Sequence, residues 1–323
     1  MPRASPHAER APGPQPSGSS RLAKIPRRGI ASALRVNERA WDATVRRHRE
    51  HRGDEAARLA RGEDPADVEA LGGLLRREAG PLRGRDVLHA LCNHGAMTVA
   101  LARDARSALG VDLSGEAVRE ARELAERTGS RARFEQGEIL GFLDETRRRF
   151  DAVVAAWGVL CWIPDLRRFA EGVARVLRPG GFVYLLDGHP MANSALGVGD
   201  PGDTYFARDG RRPRKERWTL DYVGPGRGTE VAIAWWQWTL GDVVTAFCEA
   251  GLVLDFVHEF PGTHPAYYGS QIPLDVVDGA GHLPGRRGLL PLSFSLRAHR
   301  PRGGPERTPR ASARRRRKSP SGA

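Results

Sequence analysis

The chain is poor in cysteine: Cys92, Cys161 and Cys248 are the only three among 323 residues. Their scatter excludes a disulfide framework and a CxxC metal site, and it fits a reducing compartment. Lysine is equally scarce for a basic chain, with Lys24, Lys215 and Lys318 set against 48 arginines. A GC-rich genome produces that bias, so arginine abundance by itself is no functional signal. No apolar run reaches the ~18 residues of a membrane span. The N-terminus lacks the apolar core of a signal peptide. A GxGxxG fingerprint is also missing, which argues against a nicotinamide-dependent oxidoreductase. The expectation is a soluble, cytoplasmic protein with no membrane contact.

The formal net charge of +12 sits at the ends. Residues 1–30 carry six basic and one acidic side chain, and residues 301–323 carry eight and one. Those tails account for +5 and +7, so residues 31–300 are neutral. Both tails are rich in Pro, Ser, Gly and Arg and are expected to be disordered. Arg314–Arg317 with Lys318 would attract a polyanion. The neutral middle offers no basic groove, so a nucleic-acid role through the tails alone is the weaker alternative.

What is present centres on Asp86–Asp112, DVLHALCNHGAMTVALARDARSALGVD. An apolar run, a break at Cys92-Asn93-His94-Gly95, a small-residue helical pattern and a second strand ending in an acid form the βαβ unit of a nucleotide-binding domain. Asn37 is read as the cap of a first helix with Val36 stapled on Trp41, and Asp64-Pro65 as the start of a second that stops at Gly80-Pro81. These helices, residues 31–82, form a lid or buttress. Ser114 opens a third helix. Strands follow at 132–135, 150–156, 182–186, 230–238, 252–258 and 290–298, with helices between them. Thr239 and Asp242 make a capping box. Residues 188–229 and 260–288 are irregular insertions expected to cover the site. The fold class is α/β: a Rossmann-like doubly wound, seven-stranded sheet.

Four pieces in order then resemble the class I S-adenosylmethionine (SAM)-dependent methyltransferases over roughly 31–300. They are Val87–Gly95, Gly110-Val111-Asp112, FDAVVAAWGVLCWIPDL (Phe150–Leu166) and LRPGG (Leu177–Gly181). The late helix LGDVVTAFCEAGL and strand LLPLSFSLRA also match that family, whose last strand is inserted antiparallel. The first motif of the family usually runs VLDLGCGTG. Here His89, Cys92 and Gly95 resemble a bacterial subgroup with the pattern VLHxQCHxG, from which Leu91 and Asn93 depart.

The resemblance implies SAM as cofactor and methyl transfer to a small-molecule acceptor, by a monomer or homodimer. A relative that keeps the fold without transfer is the nearest alternative. It implies cofactor contacts at His89, Leu91, Cys92, Asn93, Gly95, Asp112, Leu113, Glu138, Ile139, Ala156 and Trp157. Asp112 is placed to accept the ribose hydroxyls and Glu138 to face the adenine amino group. Gly95 is read as the closest backbone approach to the ligand, and Leu91 and Asn93 as widening the loop where glycines normally stand. Cys92 is read as a small core residue. Trp157 and Trp162 are candidates to wall the sulfonium, with Trp41 and Tyr267 shaping the acceptor pocket. His189 and His258 are the candidate general bases. No metal is called for.

Overall fold

The computed structural model describes residues 29–196, 205–206, 213–219, 223, 230–268 and 272–303. Of the two basic tails, 1–30 and 301–323, all but residues 29–30 and 301–303 lie outside the described residues, Arg314–Lys318 included, as does most of 197–229. The strands in chain order are β1 (Asp86–Ala90), β2 (Ser107–Asp112), β3 (Arg133–Gln136), β4 (Phe150–Ala156) and β5 (Leu177–Gly188). Then come β6 (Arg214–Thr219), β7 (Glu230–Trp235), β8 (Val253–Phe260), β9 (Asp275–Val277), β10 (Ala280–His282) and β11 (Ser293–His299). The helices are α1 (Ile30–Arg49), α2 (Glu55–Ala60), α3 (Ala66–Ala79), α4 (Ala96–Asp104) and α5 (Gly115–Arg127). They continue with α6 (Ile139–Glu145), α7 (Leu166–Val176), α8 (Pro190–Ala195) and α9 (Leu240–Glu249).

Successive side chains of a strand point to opposite faces, so a strand covered on both sides must be apolar throughout. β4 and β5 show it. Val153, Ala155, Val183 and Leu185 enter one core, while Ala152, Val154, Phe182, Tyr184 and Leu186 enter the other. The sheet runs β3-β2-β1-β4-β5-β11-β8, parallel from β3 to β5, with β11 antiparallel to both β5 and β8. The doubly wound seven-stranded sheet with an antiparallel last strand is therefore observed. On one face α7 and α9 meet through Phe169 and Phe247, both fully buried with ring centroids 6.3 Å apart. Each such side chain stabilises the fold by about 1.5–3 kcal/mol through burial.

Ser114 caps α5 by accepting the Ala117 N–H, and Thr239 and Asp242 form the expected capping box of α9. The N-terminal caps differ from expectation. Asn37 lies inside α1, fully buried, where its amide donates to the Ala234 carbonyl and accepts the Ala234 N–H at 2.7 and 2.8 Å. It pairs with β7 as a neighbouring strand would, an engagement that outweighs capping. Asp64 is likewise no cap: its carboxylate binds Arg76 and Arg103. The stretch 230–238 is a strand only to Trp235. It pairs with β6 in a separate two-stranded sheet instead of joining the main one. The insertions also hold order of their own, namely α8, β6 and the β9–β10 hairpin.

Candidate active site

The strand order reverses between β1 and β4, and ligands of open α/β sheets bind beyond the carboxyl ends of strands at such a switch point. A cleft opens there. Its floor is made by His89, the 91–94 loop, Asp112, Leu113 and the 137–139 turn. Ala156, Trp157 and Gly158 follow from β4, Leu34, Asn37 and Trp41 from α1, and Asp67 from α3. Cys161, Trp162, Trp218, His264 and Ala266–Tyr268 complete the walls.

The loop after β1 takes a glycine-type path without glycines. Leu91 and Asn93 have φ of 55° and 49°, a left-handed conformation that costs a branched side chain about 1–2 kcal/mol. Leu91 and Asn93 thus occupy the backbone region that glycine enters freely. Asp112 holds the loop: one carboxylate oxygen accepts the Asn93 N–H at 2.8 Å and the other the Ser114 N–H at 2.9 Å. Burial raises the Asp112 carboxyl above its ordinary range, against the pull of these N–H groups.

Gly95 enters α4 at φ 86°, and a Cβ there would lie 2.7 Å from Ala121 and from the Phe134 ring, so packing against α5 and β3 requires glycine. The cleft lining holds its neighbours His94 and Ala96. Cys92 is buried in the core with Ala121 and Phe134, which pushes its thiol well above the usual value.

His89 is buried on β1. Its Nδ1 lies 2.8 Å from Thr98 Oγ1, and its Nε2 has no hydrogen-bond partner among the described residues. Burial lowers its pKa to about 4, opposed by the nearby Asp67, so the ring is neutral at physiological pH. Glu138 lines the cleft, yet both its oxygens cap α6, accepting the Leu140 and Gly141 N–H groups at 2.8 Å each. That engagement competes with an adenine contact.

The loop after β4 repeats the design. Trp157 has φ of 59° and Gly158 follows at 76°. Asp187, at the end of β5, accepts the N–H groups of Gly158, Val159, Leu160 and Gly188 and the Tyr267 hydroxyl at 2.6–2.9 Å. Burial nevertheless leaves the Asp187 carboxyl raised. Tyr267 reaches Asp187 because residue 188 is glycine: a Cβ would stand 2.3 Å from the ring. Trp41, Trp162 and Trp218 form an aromatic wall, with centroids 5.5 and 6.2 Å apart along the series. Strain collects here: Leu91, Asn93 and Trp157 are three of the five described non-glycine residues with positive φ, and all line the cleft. Such conformations persist where surrounding contacts over-determine them.

The cleft also gathers residues that the sequence reading passed over. Asp67 Oδ1 lies 3.2 Å from His264 Nε2, and the Asp67 carbonyl accepts the Trp157 indole N–H at 2.8 Å. His94 Nε2 stands 3.1 Å from Glu55, whose pKa burial raises to about 7. No local pattern marks Asp67 or His264, because α3 and the 261–268 segment meet only in the fold.

The two histidines read as candidate bases are elsewhere. His189 is buried as the cap of α8, with Nδ1 accepting the Met191 N–H and Nε2 2.9 Å from Glu259. His258 lies on exposed β8, 2.7 Å from Glu78. Neither lines the cleft: His189 is held in the cap of α8, and His258 lies on β8 at the far edge of the sheet.

Residues 87–181 match the family described as "Methyltransferase domain". This segment is a methyltransferase domain. The chain is 28% identical over 112 residues to a ubiquinone biosynthesis O-methyltransferase of Cronobacter sakazakii, covering 35% of this chain and 46% of that protein. With the one of Methylococcus capsulatus it shares 31% over 103 residues, 32% and 43% of the two chains. The chain thus spans less than half the length of these curated relatives. The domain's fold extends to solved structures. Magnesium protoporphyrin IX methyltransferase from Synechocystis PCC 6803, solved with bound SAH (S-adenosylhomocysteine), matches at TM-score 0.50 and 16% identity over 83% of this chain and 99% of that one. A putative SAM-dependent methyltransferase from Listeria monocytogenes matches at TM-score 0.50 and 14% identity, covering 73% and 98%. These likenesses carry the fold. Outside the methyltransferase domain, β8 and β11 complete the same sheet.

Proposed function

We propose that the protein transfers a methyl group from SAM to a small-molecule acceptor. The observation that carries this reading is the cleft at the β1/β4 switch point of a methyltransferase domain, where a strained loop, Asp112 and a buried histidine with its Nε2 unpartnered converge. The residues present fit the cofactor. His89 Nε2 is a buried polar atom without a protein partner, and such an atom costs stability unless a ligand or water satisfies it. A carboxylate has about four acceptor positions, and the backbone N–H groups that fix Asp112 occupy two, leaving capacity for ribose hydroxyls. Gly137 and Ile139 flank the adenine side, while the carboxylate of Glu138 is engaged in its cap. The subgroup with the VLHxQCHxG motif is the finer assignment, supported by a His89 held in place by Thr98.

Bound SAM supplies an electrophilic methyl group on a thioether leaving group that needs no acid. The chain's task is then alignment and exclusion of water. Trp157, Tyr267 and the Trp41–Trp162–Trp218 wall supply a rigid aromatic surface, and an aromatic face favours a nearby cation. His264 Nδ1 accepts the Ala266 N–H at 3.1 Å. Its Nε2 faces Asp67 Oδ1 at 3.2 Å, so the ring lies against that carboxylate. With His189 and His258 outside the cleft, the arrangement suits an acceptor that arrives as a nucleophile. The curated relatives' name, O-methyltransferase, supports transfer to oxygen.

Isothermal titration of the full chain with SAM and SAH tests the reading. Saturable binding of both is expected, with no heat from NADH. Absence of binding at millimolar SAM would overturn it.

A further inference from the structure

The residue that resembling proteins use as an acid at the end of β1 is here His89, and it is neutral. A SAM molecule carries an α-ammonium group whose positive charge must be met in a desolvated cleft. An uncharged imidazole can accept a hydrogen bond from it but cannot balance the charge. Another anion is required on the same side of the cleft. Asp112 and Asp187 are tied to backbone N–H groups of their loops.

Asp67 meets the requirement. It lines the cleft together with His89, and its side chain is 40% exposed, so its carboxylate is open to a ligand. Two contacts fix it in the first turn of α3: the Trp157 indole holds its carbonyl, and His264 Nε2 stands 3.2 Å from Oδ1. Oδ2 has no hydrogen-bond partner among the described residues. His89 Nδ1 lies 2.8 Å from Thr98 Oγ1; with the ring proton on Nδ1, donated to that hydroxyl, Nε2 keeps its lone pair for the cleft.

We propose that Asp67 supplies the anionic contact for the α-ammonium group of SAM, with neutral His89 as the second acceptor. This rests on the cofactor reading above. The carboxylate then stands on α3 instead of β1, with His264 beside it. Consistent with this, desolvation by the cleft walls raises the Asp67 carboxyl, and the His264 contact outweighs it and leaves the group below its ordinary range.

A ligand-by-mutant cycle tests it by calorimetry, using SAH, its des-amino analogue and 5′-methylthioadenosine against wild type and Asp67→Asn. Wild type should prefer SAH to the des-amino analogue by about tenfold or more, the scale of one charge-assisted hydrogen bond. Asp67→Asn should erase most of that preference while leaving 5′-methylthioadenosine within about twofold, since distant contacts are additive. Unchanged discrimination in Asp67→Asn, or equal weakening of all three ligands, overturns the proposal. Should that variant not fold, His264→Ala should lose part of the discrimination, and an unchanged ratio overturns it equally. A wild type that binds no SAH instead overturns the cofactor reading, and this inference with it.

Discussion

The loop after β1 and the loop after β4 are built alike. Each leaves a parallel strand through a non-glycine residue at positive φ, Leu91 in one and Trp157 in the other. Each is held by an acid from the end of the adjacent strand, Asp112 from β2 or Asp187 from β5. The acids differ in what remains free. Asp187 takes five donors and is 1% exposed, so it serves the scaffold. Asp112 takes two backbone donors at hydrogen-bond distance and opens on the cleft. The same residue type at equivalent places in the sheet therefore has two functions, and the number of donors already committed separates them.

Removing the scaffold acid should have the largest effect. Asp187→Ala strands the N–H groups of Gly158, Val159 and Leu160 in a buried turn. At about 1–3 kcal/mol for each unsatisfied donor, partly relieved by relaxation, the loss should be roughly 3–5 kcal/mol in urea unfolding. A loss below about 1 kcal/mol would show that the β4 loop does not depend on this carboxylate. Asp112→Ala should divide its effect the other way. SAM binding should weaken by roughly 1.5–3 kcal/mol, with a stability change of only about 1 kcal/mol. Calorimetry beside urea unfolding reads both, and an unchanged affinity would contradict the ribose placement.

The comparison also explains what was legible in the sequence. The apolar runs of β1, β4 and β5 declare strands buried on two faces, and the order of elements declares the doubly wound sheet. Ser114 and Thr239 announce their helices because a cap is a local contract between residues three apart. Asn37 misled because its partner, Ala234, is 197 residues away, and a long-range backbone pairing outweighs the local preference of asparagine for a helix start. His189 and His258 looked available at strand ends, but their carboxylate neighbours Glu259 and Glu78 become visible only when β8 lies beside β11 and near α3. Cleft residues close to the sheet, such as His89, Asp112 and Trp157, could be placed from strand ends. Asp67 and His264 could not, since neither stands at a position that the sheet topology marks.

The smallest effect tests the strain that the two loops share. Leu91 is part-buried against the main core, so truncating it loses packing in any variant. The backbone contribution is isolated by comparing two truncations. Alanine keeps a Cβ at φ of 55°, whereas glycine has none and enters this region freely. Elsewhere in a chain glycine is the less stable of the pair by roughly 0.5–1 kcal/mol. Here the order should reverse, with Leu91→Gly more stable than Leu91→Ala by about 1 kcal/mol in urea unfolding. Alanine at least as stable as glycine would mean that the β1 loop relaxes out of its left-handed path once the leucine is gone. The glycine-type conformation would then belong to the Leu91 side chain and its packing, and not to the Asp112 anchor at Asn93.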